Sequence, residues 1–386
     1  MSIKTILFLM VGLCSYANAQ DRISKDGYQF DFINKISCNP IEDQASTGTC
    51  WSFSTGSFLE SENVRLGGTS LNLSEMYFVR CNYIEKAKLY LRYQGTCNFD
   101  EGSLSHDVMR LLNLYGAMPE VNYDGLVEGM TRHNHGKLKR DLKKFLDEAI
   151  SSRSIPHNWM EEFNKILDLH LGPLEKTFVY EGKTYDPVSF AETYLVLDPA
   201  DYITITSFSH HPPYSHFVLE IPDNYAREFY YNVSLDDLTA ICTDALKAGH
   251  TVVWDCDVSE KGFSARQGLA IVPSERSAEA SKQSVFETPS PEIVVSDQLR
   301  QEEFDNYSLT DDHLMHIVGI ASDQNGQMYY YVKNSWGKAV GLEGYLFASQ
   351  PYFQLNTIAV MVHKDVIPKS IANKFTSRFE STQLNE

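Results

Sequence analysis

The chain has 386 residues, 43% of them hydrophobic and 22% charged. That balance belongs to a globular protein long enough for a large core in one or two domains. A net charge of −18 and a pI near 5.1 argue against a nucleic-acid or anionic-membrane partner.

Residues 1–19 read as a leader outside the fold. Lys4 makes a positive start, Ile6 to Cys14 form a short apolar run, and Ala17-Asn18-Ala19 is a small-residue cleavage site. The run is too short to span a bilayer, and no later segment is apolar enough to cross one. The expected location is therefore periplasmic or secreted, with cleavage after Ala19 and no membrane anchor. Residues 20–386 are read as one domain. Six of the seven cysteines remain after cleavage: Cys38, Cys50, Cys81, Cys97, Cys242 and Cys256. Cys81–Cys97 and Cys242–Cys256 are the nearest pairs for disulfides in an oxidising compartment, and buried free thiols are the other reading. No C-x2-C or H-E-x-x-H spacing is present, so neither a zinc site nor another cofactor is expected.

In chain order, an apolar, helix-like stretch follows Cys50, from Ser52 to Glu60. Ser74 is placed as the N-cap of the next helix. Leu104, Val108, Leu111, Leu112 and Tyr115 recur at helical spacing and stop at Gly116. Lys137–Ile150 and Trp159–Leu171 read as amphipathic helices, and Leu235–Ala248 as another capped by Ser234. Thr251–Trp254 is a short strand. Residues 277–299 are polar, contain Pro289-Ser290-Pro291, and read as a surface excursion. Then the pattern alternates: His313–Ala321, Gln327–Asn334, Gly344–Ala348 and Thr357–His363 are expected strands. Helices first and strands later predict an α+β fold, with a cleft between a helical lobe and a β-sheet lobe.

The chemistry concentrates at two places. The first is Gln44-Ala45-Ser46-Thr47-Gly48-Thr49-Cys50-Trp51. A thiol at a helix N-terminus beside a cation becomes a nucleophilic thiolate. Gly48 allows a tight turn before it. Gln44 can fold back and aim its amide at an oxyanion, joined by the Cys50 N–H. The second place is Asp312-His313-Leu314-Met315-His316, followed by Asn334-Ser335-Trp336-Gly337. A histidine opening a strand supplies a base, and an asparagine closing the next strand orients it. Trp336 would shield that hydrogen bond from water. Strand alternation puts His313 and His316 on opposite faces, so only one points at Cys50.

These motifs resemble the papain-like cysteine peptidases, and within them the bleomycin hydrolase and aminopeptidase C branch. The chain has no cysteine at Thr47, where papain has one. Gly102-Ser103-Leu104-Ser105-His106-Asp107, Tyr115-Gly116-Ala117-Met118-Pro119, Leu171-Gly172-Pro173-Leu174-Glu175-Lys176-Thr177-Phe178 and Leu246-Lys247-Ala248-Gly249 with Val252-Val253-Trp254 are similar to segments of that branch. The likeness runs over roughly residues 25–370. Cys50 and His313 are much farther apart than the roughly 130–150 residues of papain, which the resemblance explains by a long insertion. It implies that Cys50 is the nucleophile, His313 (six residues before Gly319) the base, Asn334 its orienter and Gln44 an oxyanion donor. Gly102 is similar to a glycine whose backbone pairs with the substrate, and Glu101 replaces its glycine neighbour. Glu101 is read either as a solvated turn carboxylate or as a partner for a substrate amine. The resemblance further implies peptide substrates, aminopeptidase action through a thioester, a hexamer, and a tail (366–386) that reaches the cleft. An endopeptidase with an open cleft and a silent scaffold that retains the fold are the alternatives.

Overall fold

The computed structural model describes residues 22–25, 27–153, 155–274 and 283–375. The leader 1–19 and the tail beyond residue 375 lie outside the described residues.

The chain opens with a hairpin of β1 (Arg22–Lys25) and β2 (Tyr28–Lys35). A helical block follows: α1 (Cys50–Arg65), α2 (Glu75–Arg92), α3 (Ser105–Tyr115), α4 (Gly136–Ser151) and α5 (Trp159–Leu171). A small hairpin of β3 (Phe178–Tyr180) and β4 (Lys183–Tyr185) leads through α6 (Pro187–Tyr194) to β5 (Tyr202–Thr206), β6 (His216–Val218) and β7 (Phe229–Asn232). Next come α7 (Leu235–Lys247), β8 (Val252–Cys256), the two-residue β9 (Phe263–Ser264) and β10 (Leu269–Ala270), and α8 (Asp297–Asp305). The last part holds β11 (His313–Asp323), β12 (Met328–Lys333), β13 (Tyr345–Ser349), α9 (Gln350–Asn356) and β14 (Thr357–His363).

The strands form one large sheet ordered β6-β7-β5-β14-β8-β11-β12-β13-β10-β9, with β2 added against β11. The α+β expectation holds, with one correction to its order. The sheet lobe is assembled from both ends of the chain, because β2 joins strands that come almost three hundred residues later. Phe30 explains the attachment: its ring stacks on Phe347 at 3.8 Å and meets Tyr329 edge-on. Gly319 permits the close approach, since a Cβ there would lie 2.7 Å from the Asn34 carbonyl oxygen.

Caps account for several helix starts. Ser74 accepts from the Tyr77 N–H and Ser234 from the Asp237 N–H, each satisfying one of the free amide groups of a helix end. Helix α1 is different. Every residue from Cys50 to Asn63 is buried, so it has no solvent face, and small residues (Ser52, Ser54, Gly56, Ser57) let neighbours pack close. One face of β8, β11 and β14, through Val253, Leu314, Ile358, Ala359 and Met361, shares a core with the helical lobe. The other face packs under α7 and α9.

Of the two readings of the cysteines the structure takes one, and the reading of the excursion needs correction. The described cysteines Cys38, Cys50, Cys81, Cys97, Cys242 and Cys256 are all free thiols, so neither Cys81–Cys97 nor Cys242–Cys256 is a bridge. Cys81 turns into the core toward Tyr77, while the Cys256 sulfur faces the His313 carbonyl at 3.7 Å. In the excursion 277–299 the described residues are mostly exposed, but Phe286 is buried beside Tyr28 and Phe30, and Asp297 begins α8.

Candidate active site

Cys50 is the first residue of α1. The thiol lies beside the backbone N–H of Leu314 on β11, so the helix start is docked onto the strand that carries His313. The turn before it is tied twice. Glu101 accepts the Gly48 N–H at 2.6 Å through Oε2, and its carbonyl accepts the Trp51 indole N–H at 3.0 Å. Glu101 is thus not a freely solvated turn carboxylate. It braces the turn that presents the sulfur.

His313 is buried, and its Nε2 lies 2.8 Å from Asn334 Oδ1. The same oxygen accepts the Ser335 N–H at 2.7 Å. A backbone N–H can only donate, so this atom of Asn334 is the acceptor and His313 Nε2 carries the hydrogen. That leaves Nδ1 with its lone pair, the form a base requires. Trp336 covers the ring at 4.7 Å between centroids and 32° between planes, which keeps water from the His–Asn bond as expected.

Gln44 is fixed by three bonds. Its N–H donates to the Ser335 carbonyl at 2.9 Å, its Oε1 accepts from Ser335 Oγ at 2.6 Å, and Nε2 donates to the Thr47 carbonyl at 2.8 Å. An amide nitrogen has two hydrogens, so one remains for another acceptor. The Asn334-Ser335 step therefore holds two site residues at once: Asn334 orients His313 and Ser335 clamps Gln44. The motif had suggested only the first.

His316 stands apart from this group, as strand alternation required. Its Nδ1 is 3.0 Å from Ser57 Oγ on α1. That oxygen also accepts from Lys333 Nζ at 2.7 Å, so the Ser57 proton points to His316, which is neutral here.

Burial resists forming either charge of the pair alone. It pushes the Cys50 thiol up to about 12, with Asp311, Asp255 and Asp223 adding to the rise and the Leu314 N–H opposing it. It pulls His313 down to about 4, against the hydrogen bond to Asn334. A proton passed from sulfur to imidazole creates both charges together, and their attraction offsets part of the burial cost.

Gly102 follows the brace at Glu101 and is half-buried. Its carbonyl accepts from the buried Lys86 ammonium, and a Cβ placed on it would fall 1.9 Å from Asp223 Oδ2. Sequence reasoning named neither Lys86 nor Asp223. It also passed over Asp255, although a lone carboxylate inside the apolar run Val252–Cys256 was a readable signal.

Among the described residues, one group has metal-ligand spacing. Nε2 of His210 lies 3.1 Å, and Nε2 of His211 2.8 Å, from the oxygens of the exposed Glu220. It shares no hydrogen bond with Cys50, His313, Asn334 or Gln44 among those described.

Two family profiles match the chain: the Peptidase C1-like family over residues 157–385, and the papain family cysteine protease over residues 27–183. Aminopeptidase C of Listeria innocua is 24% identical over 401 residues, covering 94% of this chain and 88% of that protein. The mitochondrial cysteine proteinase 1 of Saccharomyces cerevisiae is 22% identical over 404 residues, covering 92% and 80%. Among solved structures, pepw from Lactobacillus rhamnosis HN001 superposes with a TM-score of 0.70 at 17% identity, covering 90% of this chain and 85% of that one.

Proposed function

The chain belongs to the Peptidase C1-like family, and we propose that it is an exported cysteine aminopeptidase that removes N-terminal residues from peptides. The observation that carries the chemistry is the cluster itself. Cys50 at a helix start, His313 with Nδ1 left free by Asn334, and Gln44 held by Ser335 supply a nucleophile, a base and an oxyanion donor. His313 takes the thiol proton, and the sulfur attacks the peptide carbonyl. The oxyanion is met by the second hydrogen of Gln44 Nε2 and by the Cys50 N–H, which as the first in α1 has no helical carbonyl to bond. The imidazolium returns the proton to the leaving amine, and water then hydrolyses the thioester.

The exopeptidase reading is supported by relatives named aminopeptidase C over nearly the whole length. Export rests on the leader pattern at Lys4, Ile6–Cys14 and Ala17-Asn18-Ala19. The test is a digest of matched peptides with free and acetylated N-termini, followed by mass spectrometry, with Cys50→Ala as control. Stepwise loss of single residues from free N-termini alone, absent in Cys50→Ala, is expected. Internal cuts in acetylated peptides would make the enzyme an endopeptidase. Retained turnover in Cys50→Ala would remove the thiol mechanism.

A further inference from the structure

Beside the sulfur lies a set of carboxyl groups that the proton transfer above does not use. Asp255 stands on β8 directly across from Leu314, the residue whose N–H meets the Cys50 thiol. Cross-strand partners share a face, and Leu314 and Val253 both pack toward the helical lobe, so Asp255 projects toward the start of α1. The side chain is buried at 2% exposure. Neither of its oxygens has an N–H or hydroxyl donor among the described residues. Its partner is another carboxyl, that of Asp311, two residues before His313; burial, and then Asp311 beside it, hold Asp255 well above the ordinary carboxylate range, so the two share a proton. Asp311 keeps partial contact with solvent. Asp223 forms a third member, pressed on Gly102 and held by Asn98 Nδ2 at 3.1 Å.

A buried carboxylate without a donor is costly, and two facing carboxyls are more so, unless a proton or a cation lies between them. The nearby Lys86 does not fill that place. Two of its three N–H groups go to the carbonyls of Asp100 and Gly102, and its charge offsets only part of the rise at Asp311. Apart from the proton it shares, the pair therefore presents acceptors with no donor of its own.

We propose that Asp255 and Asp311, with Asp223 closing the far side, form a subsite for an alkylammonium group of the substrate, the α-ammonium of the residue being removed. This rests on the aminopeptidase reading. The scale is right: when a first residue's carbonyl sits at Cys50, its α-nitrogen is two bonds from the attacked carbon, within one residue length of about 3.8 Å. An ammonium has three N–H donors and one positive charge, the complement of two carboxyls held together by one proton, which passes to solvent as the ammonium enters. Burial, followed by Asp223, lifts Asp311 to about 7, which fits a carboxyl waiting for a cation. Acetylation removes both charge and geometry, so the subsite would exclude blocked peptides and their internal bonds.

A basic side chain carries the same chemistry, so the assay separates the two sources. Leucyl-, N-acetyl-leucyl-, acetyl-lysyl-leucyl- and acetyl-norleucyl-leucyl-p-nitroanilide are compared on the wild type, Asp255→Asn and Asp311→Asn. Each variant is expected to lower kcat/KM on the free leucyl substrate at least tenfold, mainly through KM, while iodoacetamide still labels Cys50 fully. The wild type is expected to show no preference for lysyl over norleucyl. A lysyl preference that disappears in both variants would overturn the α-ammonium assignment in favour of a side chain. Free-amine kcat/KM within twofold of wild type in both variants, with Cys50 still labelled, would overturn the subsite and leave the aminopeptidase reading standing. Equal cleavage of leucyl and acetyl-leucyl substrates by the wild type would sink the aminopeptidase reading by itself. Should Asp255→Asn fail to fold, the partly exposed Asp311→Asn decides. The wild-type ratio between leucyl- and 4-methylpentanoyl-p-nitroanilide, which differ only by the amine, then serves as the second measurement: at least tenfold is expected, and a ratio near one overturns the proposal.

Discussion

His313 sets the acid limit of the reaction. Burial lowers its pKa from the ordinary 6.5 to about 4, and the bond to Asn334 recovers only part of the loss. A base must be neutral to accept a proton, so the lowered value keeps it competent well below pH 6.5. We expect kcat at saturating free-amine peptide to hold from pH 7 down to about 5 and to halve near 4. The parameter matters: kcat reports the substrate-bound enzyme, in which an ammonium already occupies the carboxyls, whereas kcat/KM would also contain the titration of Asp311. A half-point at 6 to 6.5 in kcat would mean that His313 is not held as its burial indicates. The same shift has a sign for stability. The unfolded chain binds a proton below 6.5 that the folded ring refuses, so this residue's contribution is intact above 6.5 and is lost as pH falls toward 4.

At the scale of elements, the site depends on how α1 is seated on the sheet. A polar seam runs inside that contact: Ser57 on α1 joins His316 on β11 and Lys333 on β12. His316→Ala would remove a fully buried ring and leave the Ser57 proton without an acceptor. The expected cost is about 2–4 kcal/mol of stability, from an emptied core position and a lost hydrogen bond. Below its reduced Tm the variant should still label at Cys50 and turn over. Wild-type thermal stability with lost turnover would instead place His316 in the chemistry. The opposition of His313 and His316 was legible because a strand alternates with period two, and the helices α3, α5 and α7 were legible from their spacing and caps. What could not be read was the neighbour relation. β8 lies between β14 and β11, two strands that follow it by many residues, and only that arrangement brings Asp255 to Leu314. The brace from Glu101 was missed for the same reason: its partner Gly48 lies far from it in the chain, and no periodicity reports such a pairing.

For the molecule as a whole, the free thiols bear directly on the proposed export. An oxidising compartment would favour disulfides between accessible cysteines, yet the described cysteines are all unpaired. Burial provides the protection. Cys81, Cys242 and Cys256 are enclosed, and desolvation raises each thiol above its ordinary value, which suppresses the thiolate that oxidation requires. Cys38 and Cys97 are only half-buried, but they sit on different lobes, Cys38 packed beside the β2–β13 aromatic cluster and Cys97 on the helical core. The fold is therefore expected to owe nothing to covalent cross-links. Thiol titration of the denatured protein, purified without reductant, should find these cysteines reduced, and dithiothreitol should leave Tm unchanged. A structural disulfide contributes about 2–4 kcal/mol, so its reduction would lower Tm by several degrees. A drop of that size, together with missing thiols in the titration, would show that the exported protein is cross-linked after all, and that Cys81 or Cys242 leaves its buried position to reach a partner.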